Sequence, residues 1–165
     1  MSEMYVECLI KQKQKPVYKF MKVLLIMLAV VFFLFAMVYG LLPFILAVAA
    51  GVGAYLVGIF TDLEFEYLYL DRELTIDKVM AKSRRKRIGT YTLDRIEILA
   101  PIKSYHLDNY KNRQAKVKDY SIGEELQPDR RYVMFYEGGE KILLSPSEDL
   151  IKAMRNKSPR KVFND

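Results

Sequence analysis

The sequence has 165 residues, 52% of them hydrophobic and 28% charged, with a mean hydropathy of zero and a net charge of +6. With 8 Gly, 6 Pro and 1 Cys, it is not collagen-like, low-complexity or a disulfide scaffold. A soluble domain of this size usually has fewer apolar residues at this charge content, so the average points to two unlike parts in one chain.

Residues 1–19 form a basic segment. Lys11, Lys13, Lys15 and Lys19, with Lys22 just beyond, outweigh Glu3 and Glu7 and give this flank +3. Met4, Tyr5, Cys8 and Leu9 share a face if residues 3 to 12 are helical, with Ser2 as a cap. A short interfacial helix on anionic lipid is one expectation, and a frayed terminus is the other. Cys8 has no partner cysteine in the chain and reads as an apolar residue.

From Val23 to Thr61 there is no Asp, Glu, Lys, Arg or His. One helix of that length would measure roughly 58 Å, whereas a bilayer core is about 30 Å thick. Two helices fit, broken at Tyr39-Gly40-Leu41-Leu42-Pro43, where Gly and Pro end one helix and Pro suits the first turn of the next. The predicted hairpin covers residues 20–61, with spans of about 20–39 and 43–60. Tyr18, Phe20, Tyr39 and Phe60 are candidate interface anchors. Ala47-Val48-Ala49 resembles a signal cleavage box, but it lies too deep in the second apolar run for one. The positive-inside rule places both termini in the cytoplasm of a cell with an inner (plasma) membrane. Ala47, Gly51, Ala54 and Gly58 share a face of the second span. Small residues there suit helix packing, either within the hairpin or against another copy or a partner helix. The spans contain no ionisable group of the kind that marks an ion path.

Residues 62–158 alternate in a β-like period. Strands are expected at about 63–70, 74–81, 86–91, 96–99, 115–120, 131–137 and 141–144. Asp71-Arg72 and Gly138-Gly139 are expected turns. Ser145-Pro146-Ser147-Glu148 reads as a capping box with Pro at the first helical position. An amphipathic helix follows with Leu150, Ile151 and Met154 on its apolar face, and Pro159 stops it. Residues 159–165 form a tail. The expected class is α+β: a two-helix transmembrane hairpin, then an antiparallel sheet or barrel of about seven strands with a C-terminal helix.

This order resembles a pleckstrin-homology-like (PH-like) fold, and the residue patterns resemble its bacterial version. The matching stretches are Glu66-Tyr67-Leu68-Tyr69-Leu70-Asp71-Arg72-Glu73-Leu74-Thr75-Ile76, Arg84-Arg85-Lys86-Arg87 and Thr92-Leu93-Asp94-Arg95-Ile96-Glu97. More closely, the whole chain resembles an uncharacterised family of short bacterial membrane proteins, DUF6106. That likeness includes Tyr5-Val6-Glu7-Cys8-Leu9 and Pro159-Arg160-Lys161-Val162-Phe163. It implies no activity. Residues 103–130 are long and polar for a simple connection in a PH-like domain.

Two surfaces are candidates for function. Lys82, Arg84, Arg85, Lys86 and Arg87 should lie at a strand tip that returns toward the inner leaflet, where they could bind anionic lipid. Alternatively they form a solvated strand neutralised by Glu64 and Glu66. Tyr105, Tyr110, Arg113 and Tyr120 in the long insertion are candidate partner-binding residues, or belong to an ordinary connection. His106 stands alone and is no zinc site. No phosphate loop, dinucleotide fingerprint or metal spacing occurs, so neither a catalytic residue, a metal nor a cofactor is expected. Nucleic acid is not an expected partner. The expected function is a membrane-anchored, non-catalytic interaction module binding protein or anionic lipid. The alternative is a structural or regulatory subunit of a larger membrane complex, contacted through the hairpin.

Overall fold

A computed structural model describes residues 5–123 and 128–165. At the N-terminus the period of two prevails over the helical one. Val6–Lys11 is a strand, β1, antiparallel to β2, Leu63–Leu70. Ile10 is buried, and Val6 and Cys8 pack on the same core, while Glu7, Leu9 and Lys11 point outward. This corrects the interfacial-helix expectation for residues 3 to 12. The Tyr5/Cys8/Leu9 spacing was real, but β2 offers backbone partners that an isolated short helix lacks. Ser2 and Met4 of that reading lie outside the described residues.

The register sets the architecture. Lys11 stands opposite Glu64, so everything between them is an insertion into a β-hairpin turn. That insertion is α1, Pro16–Tyr39, and α2, Leu41–Thr61. Both are long and apolar enough to cross a membrane, about 36 and 31 Å at 1.5 Å per residue. They start a few residues before the predicted spans. Gly40, at φ +79°, makes the break between them, and Pro43 falls in the first turn of α2 as expected. The β domain therefore does not simply follow the helices. It begins before them and resumes after them.

The chain divides into two compact units. One holds residues up to Gln12, Glu64–Val79 and Arg85–Asp165; the other holds Lys13–Leu63 and Met80–Arg84. In the first, β3 (Glu73–Met80) and β4 (Arg84–Thr92) complete a sheet ordered β1-β2-β3-β4. The second sheet holds β5 (Ile96–Pro101), β6 (Lys116–Asp119), β7 (Tyr132–Tyr136) and β8 (Glu140–Leu144), ordered β5-β7-β8-β6. These eight strands form two sheets and not a closed barrel. The Asp71-Arg72 turn has both residues at positive φ, the backbone of a tight hairpin. Gly138 and Gly139 do the same between β7 and β8.

The main core lies between the sheets and α3, Glu148–Lys157. Phe65, Tyr67, Leu74, Ile76, Leu99, Met134, Ile142 and Leu150 belong to it. Ser147, not Ser145, caps α3 by accepting from the Leu150 N–H at 3.3 Å. Ser145 is engaged elsewhere: its N–H donates to the Tyr67 hydroxyl at 3.2 Å, and its Oγ accepts from the Ile122 N–H at 3.1 Å. Pro146 therefore precedes the helix and does not open it.

The described residues of the long 103–130 connection are a built part of the domain. A 3-10 helix at Tyr105–Tyr110 brings Leu107 and Tyr110 against Ile98, Val133 and Phe135, on the face of the second sheet opposite the main core. Farther on, β6 pairs with β8 in parallel, not antiparallel as expected. The tail is also fixed: Leu99 and Phe163 N–H groups exchange backbone hydrogen bonds with Lys161 and Leu99, and Val162 is fully buried.

Two outcomes follow. Replacing residues 13–61 by a short Gly-Asn turn should give a soluble domain with cooperative unfolding by circular dichroism, because Lys11 and Glu64 are already neighbours. A chain starting at residue 13 should lack that transition, since β2 loses the strand on its outer side and the core loses Val6, Cys8 and Ile10. Separately, the Tyr67 hydroxyl donates to the Tyr120 carbonyl at 2.5 Å and accepts from Ser145 N–H. Tyr67→Phe should cost about 1–3 kcal/mol in denaturant titrations, because two buried backbone groups lose their partner.

Candidate functional site

The strand alternation of β4 sorts the basic run into two groups. Arg85 and Arg87 turn toward acidic residues of β2 and β3. Arg85 lies 2.6 Å from Glu66, and Arg87 lies 3.5 Å from Asp77. Both carboxylates are almost wholly buried. Burial raises the Glu66 carboxyl above the usual carboxylate range; the neighbouring Glu7 carboxyl adds to this, and Arg85 opposes it. Glu7 is held low, chiefly by the Tyr5 hydroxyl donating at 2.8 Å. Neutralisation by Glu66 is thus a property of Arg85, with Asp77 doing the same for Arg87. Arg84 and Lys86 alternate away from these acids. Among the described residues, Lys82, Arg84 and Lys86 have no acidic partner.

The β3–β4 turn has its own geometry. Ala81 and Lys82 sit at φ +48° and +56°, a left-handed backbone that costs non-glycine residues roughly 1–2 kcal/mol each. The Ser83 N–H closes on the Met80 carbonyl at 3.2 Å, and the Ala81 N–H donates to the Asp62 carbonyl at 3.0 Å. Asp62 is the C-cap of α2, so the turn is tied to that end of the helix pair. Met80–Arg84 accordingly belongs to the same compact unit as the helices. That unit contains Lys13, Lys15, Lys19, Lys22, Lys82 and Arg84, against a single acid, Asp62.

The other candidates separate. Tyr105 is 70% exposed and stacks on His106, whose ring in turn stacks on Phe163 at 3.7 Å. Tyr110 packs on Phe135 at 4.9 Å in the second cluster. Tyr120 packs on Phe65 at 5.6 Å in the main core. Arg113 pairs with Glu97 at 2.5 Å. These four residues do not make one surface, and three of them have structural partners. On α2, Ala47 and Ala54 are buried, while an added side chain at Gly51 would meet nothing within 4 Å. Among the described residues no group of three His, Cys, Asp or Glu could hold a metal.

Residues that sequence reasoning missed are those tying the tail. His106 Nε2 lies 3.8 Å from an Asp165 carboxylate oxygen, Ser104 donates to Asp165, and Tyr132 donates to Asn164 at 2.5 Å. No local pattern announces them, because their partners are 32 or more positions away.

The Glu66–Arg85 pair gives a pH test. A carboxyl raised in the folded state favours folding below its unfolded pKa, near 4.3, and that contribution is lost as pH rises through the folded value. Arg85→Gln should therefore lower stability at pH 7 by on the order of 1 kcal/mol, the guanidinium being largely exposed, and by less near pH 4. Melting curves at the two pH values check this.

No curated protein and no solved structure matches the chain. One family model does, over residues 2–164, and it describes a bacterial PH-like domain. The chain belongs to that family, DUF6106.

Proposed function

We propose that this protein is a membrane-anchored, non-catalytic interaction module. The helical hairpin spans the cytoplasmic membrane, both termini face the cytoplasm, and the PH-like domain is presented at the inner surface. Its β3–β4 turn contacts anionic lipid headgroups. The observation that carries this reading is the Ala81-to-Asp62 hydrogen bond. It ties Lys82 and Arg84, two cations without acidic partners among the described residues, to the end of the hairpin that also bears the lysines of α1. By the positive-inside rule that end is cytoplasmic. Cations near an anionic leaflet contribute about 1 kcal/mol each, and they are effective only within a Debye length, about 8 Å at physiological salt. The turn meets that condition by being fastened to the helix end. Arg85 and Arg87 take a different role, neutralising buried acids within the sheet.

Flotation tests the reading. The soluble domain with residues 13–61 replaced should float with vesicles of equal phosphatidylglycerol and phosphatidylcholine, and not with phosphatidylcholine alone. Lys82→Gln with Arg84→Gln should weaken binding on the order of tenfold, with the same melting temperature. Binding that is indifferent to anionic lipid, or unchanged in the double variant, contradicts it.

A further inference from the structure

We propose that α1 and α2 hold one anionic phospholipid, with an acyl chain in the groove between them and the phosphate on Lys22. The inference rests on the membrane-spanning reading of the helices and adds a specific ligand to it. An open, apolar groove of about 520 Å³ runs between the helices, lined by Ile26, Val30, Phe33, Phe44, Val48 and Gly51 among others. That volume lies within the range of roughly 300–1,000 Å³ typical of small-molecule sites. Its lining is almost entirely carbon, so it has no polar group to orient a partner and selects for hydrocarbon.

The charge stands at one end. Ile26 and Ala54 line the groove. One helical turn farther along the same faces come Lys22 and Gly58. A Cβ placed on Gly58 would lie 3.3 Å from the Lys22 ammonium nitrogen, so the missing side chain leaves the space that this ammonium fills. Lys22 has no acidic partner among the described residues. From Gly58 to Phe44 the groove and its cationic end extend about 21 Å at 1.5 Å per residue, more than half of a hydrocarbon core of about 30 Å. An apolar trough with one cation at its cytoplasmic end complements an amphiphile with an anionic head. A zwitterionic lipid such as phosphatidylcholine would bring its own cation beside the ammonium, and a second copy's helix would bring no anion from its uncharged span.

Native mass spectrometry of the full chain released from nanodiscs tests this. The discs contain equal dioleoyl-phosphatidylglycerol and dioleoyl-phosphatidylcholine. The expected result is one retained lipid per chain, enriched in phosphatidylglycerol. Lys22→Gln should cut that enrichment about fivefold. Gly51→Leu, which places a side chain in open space, should remove the adduct of either lipid without loss of helix by circular dichroism. Adducts in the proportion of the disc, or unchanged in both variants, overturn the proposal. So does a dimer carrying no lipid, which would assign the groove to a second copy. Release of the chain from membranes by alkaline carbonate would instead overturn the spanning reading itself, so the two failures are distinguishable.

Discussion

β1 pairs antiparallel with β2, and this one contact sets where the helices leave and rejoin the sheet. It fixes Lys11 opposite Glu64, so the chain leaves the sheet and re-enters it at adjacent positions, about 5 Å apart in an antiparallel pair. Two apolar helices of 24 and 21 residues are thereby reduced, from the domain's side, to the connection of a hairpin. The helices cannot be cut away as a leader without also removing an edge strand. The same pairing puts β2 and the end of α2 in direct succession, which brings the Asp62 carbonyl within reach of Ala81. The basic turn is tied to the helices through the backbone, independently of any side chain.

A second consequence concerns free strand edges. Unpaired edges attract extended peptides, and PH-like sheets can take up a peptide by strand addition. In the second sheet β6 lies along β8 and is itself one edge strand, while the other edge, β5, is bridged at Leu99 by Val162 of the tail. The long insertion and the tail therefore act first as covers, of an edge and of the outer face of that sheet. This accounts for Tyr110 and Tyr120 better than a binding surface does, since each packs into a hydrophobic cluster. Of the three tyrosines among the candidates, Tyr105 alone projects into solvent.

Much of this was legible in the sequence. The helices announce themselves by thirty-nine residues without a charge, Val23 to Thr61. Most strands show a period of two, and the turns show their local chemistry at Asp71-Arg72 and Gly138-Gly139. Two kinds of feature were not legible. The first is competition between periods over a short window, as at residues 3 to 12, where both readings fit and only the distant β2 decides. The second is long-range pairing. Nothing local says that Tyr67 will hold Tyr120 and Ser145, that Ser145 is thereby unavailable as a helix cap, or that a parallel strand will close an antiparallel sheet. For the candidate site, the sequence supplied the basic run and its acidic neighbours. The alternation of β4 then divided the run into members that pair with buried acids, Arg85 and Arg87, and members that face away from them.

The proposed place of the β3–β4 turn is at headgroup level. A fluorophore at Ser83→Cys in the full chain, with Cys8→Ala, reconstituted in nanodiscs containing phosphatidylglycerol, reads that depth. A turn at the headgroups gives strong quenching by lipids carrying a spin label on the headgroup and little quenching by aqueous iodide. Full access to iodide with no effect of the lipid quencher would place the turn in solvent and remove the lipid contact.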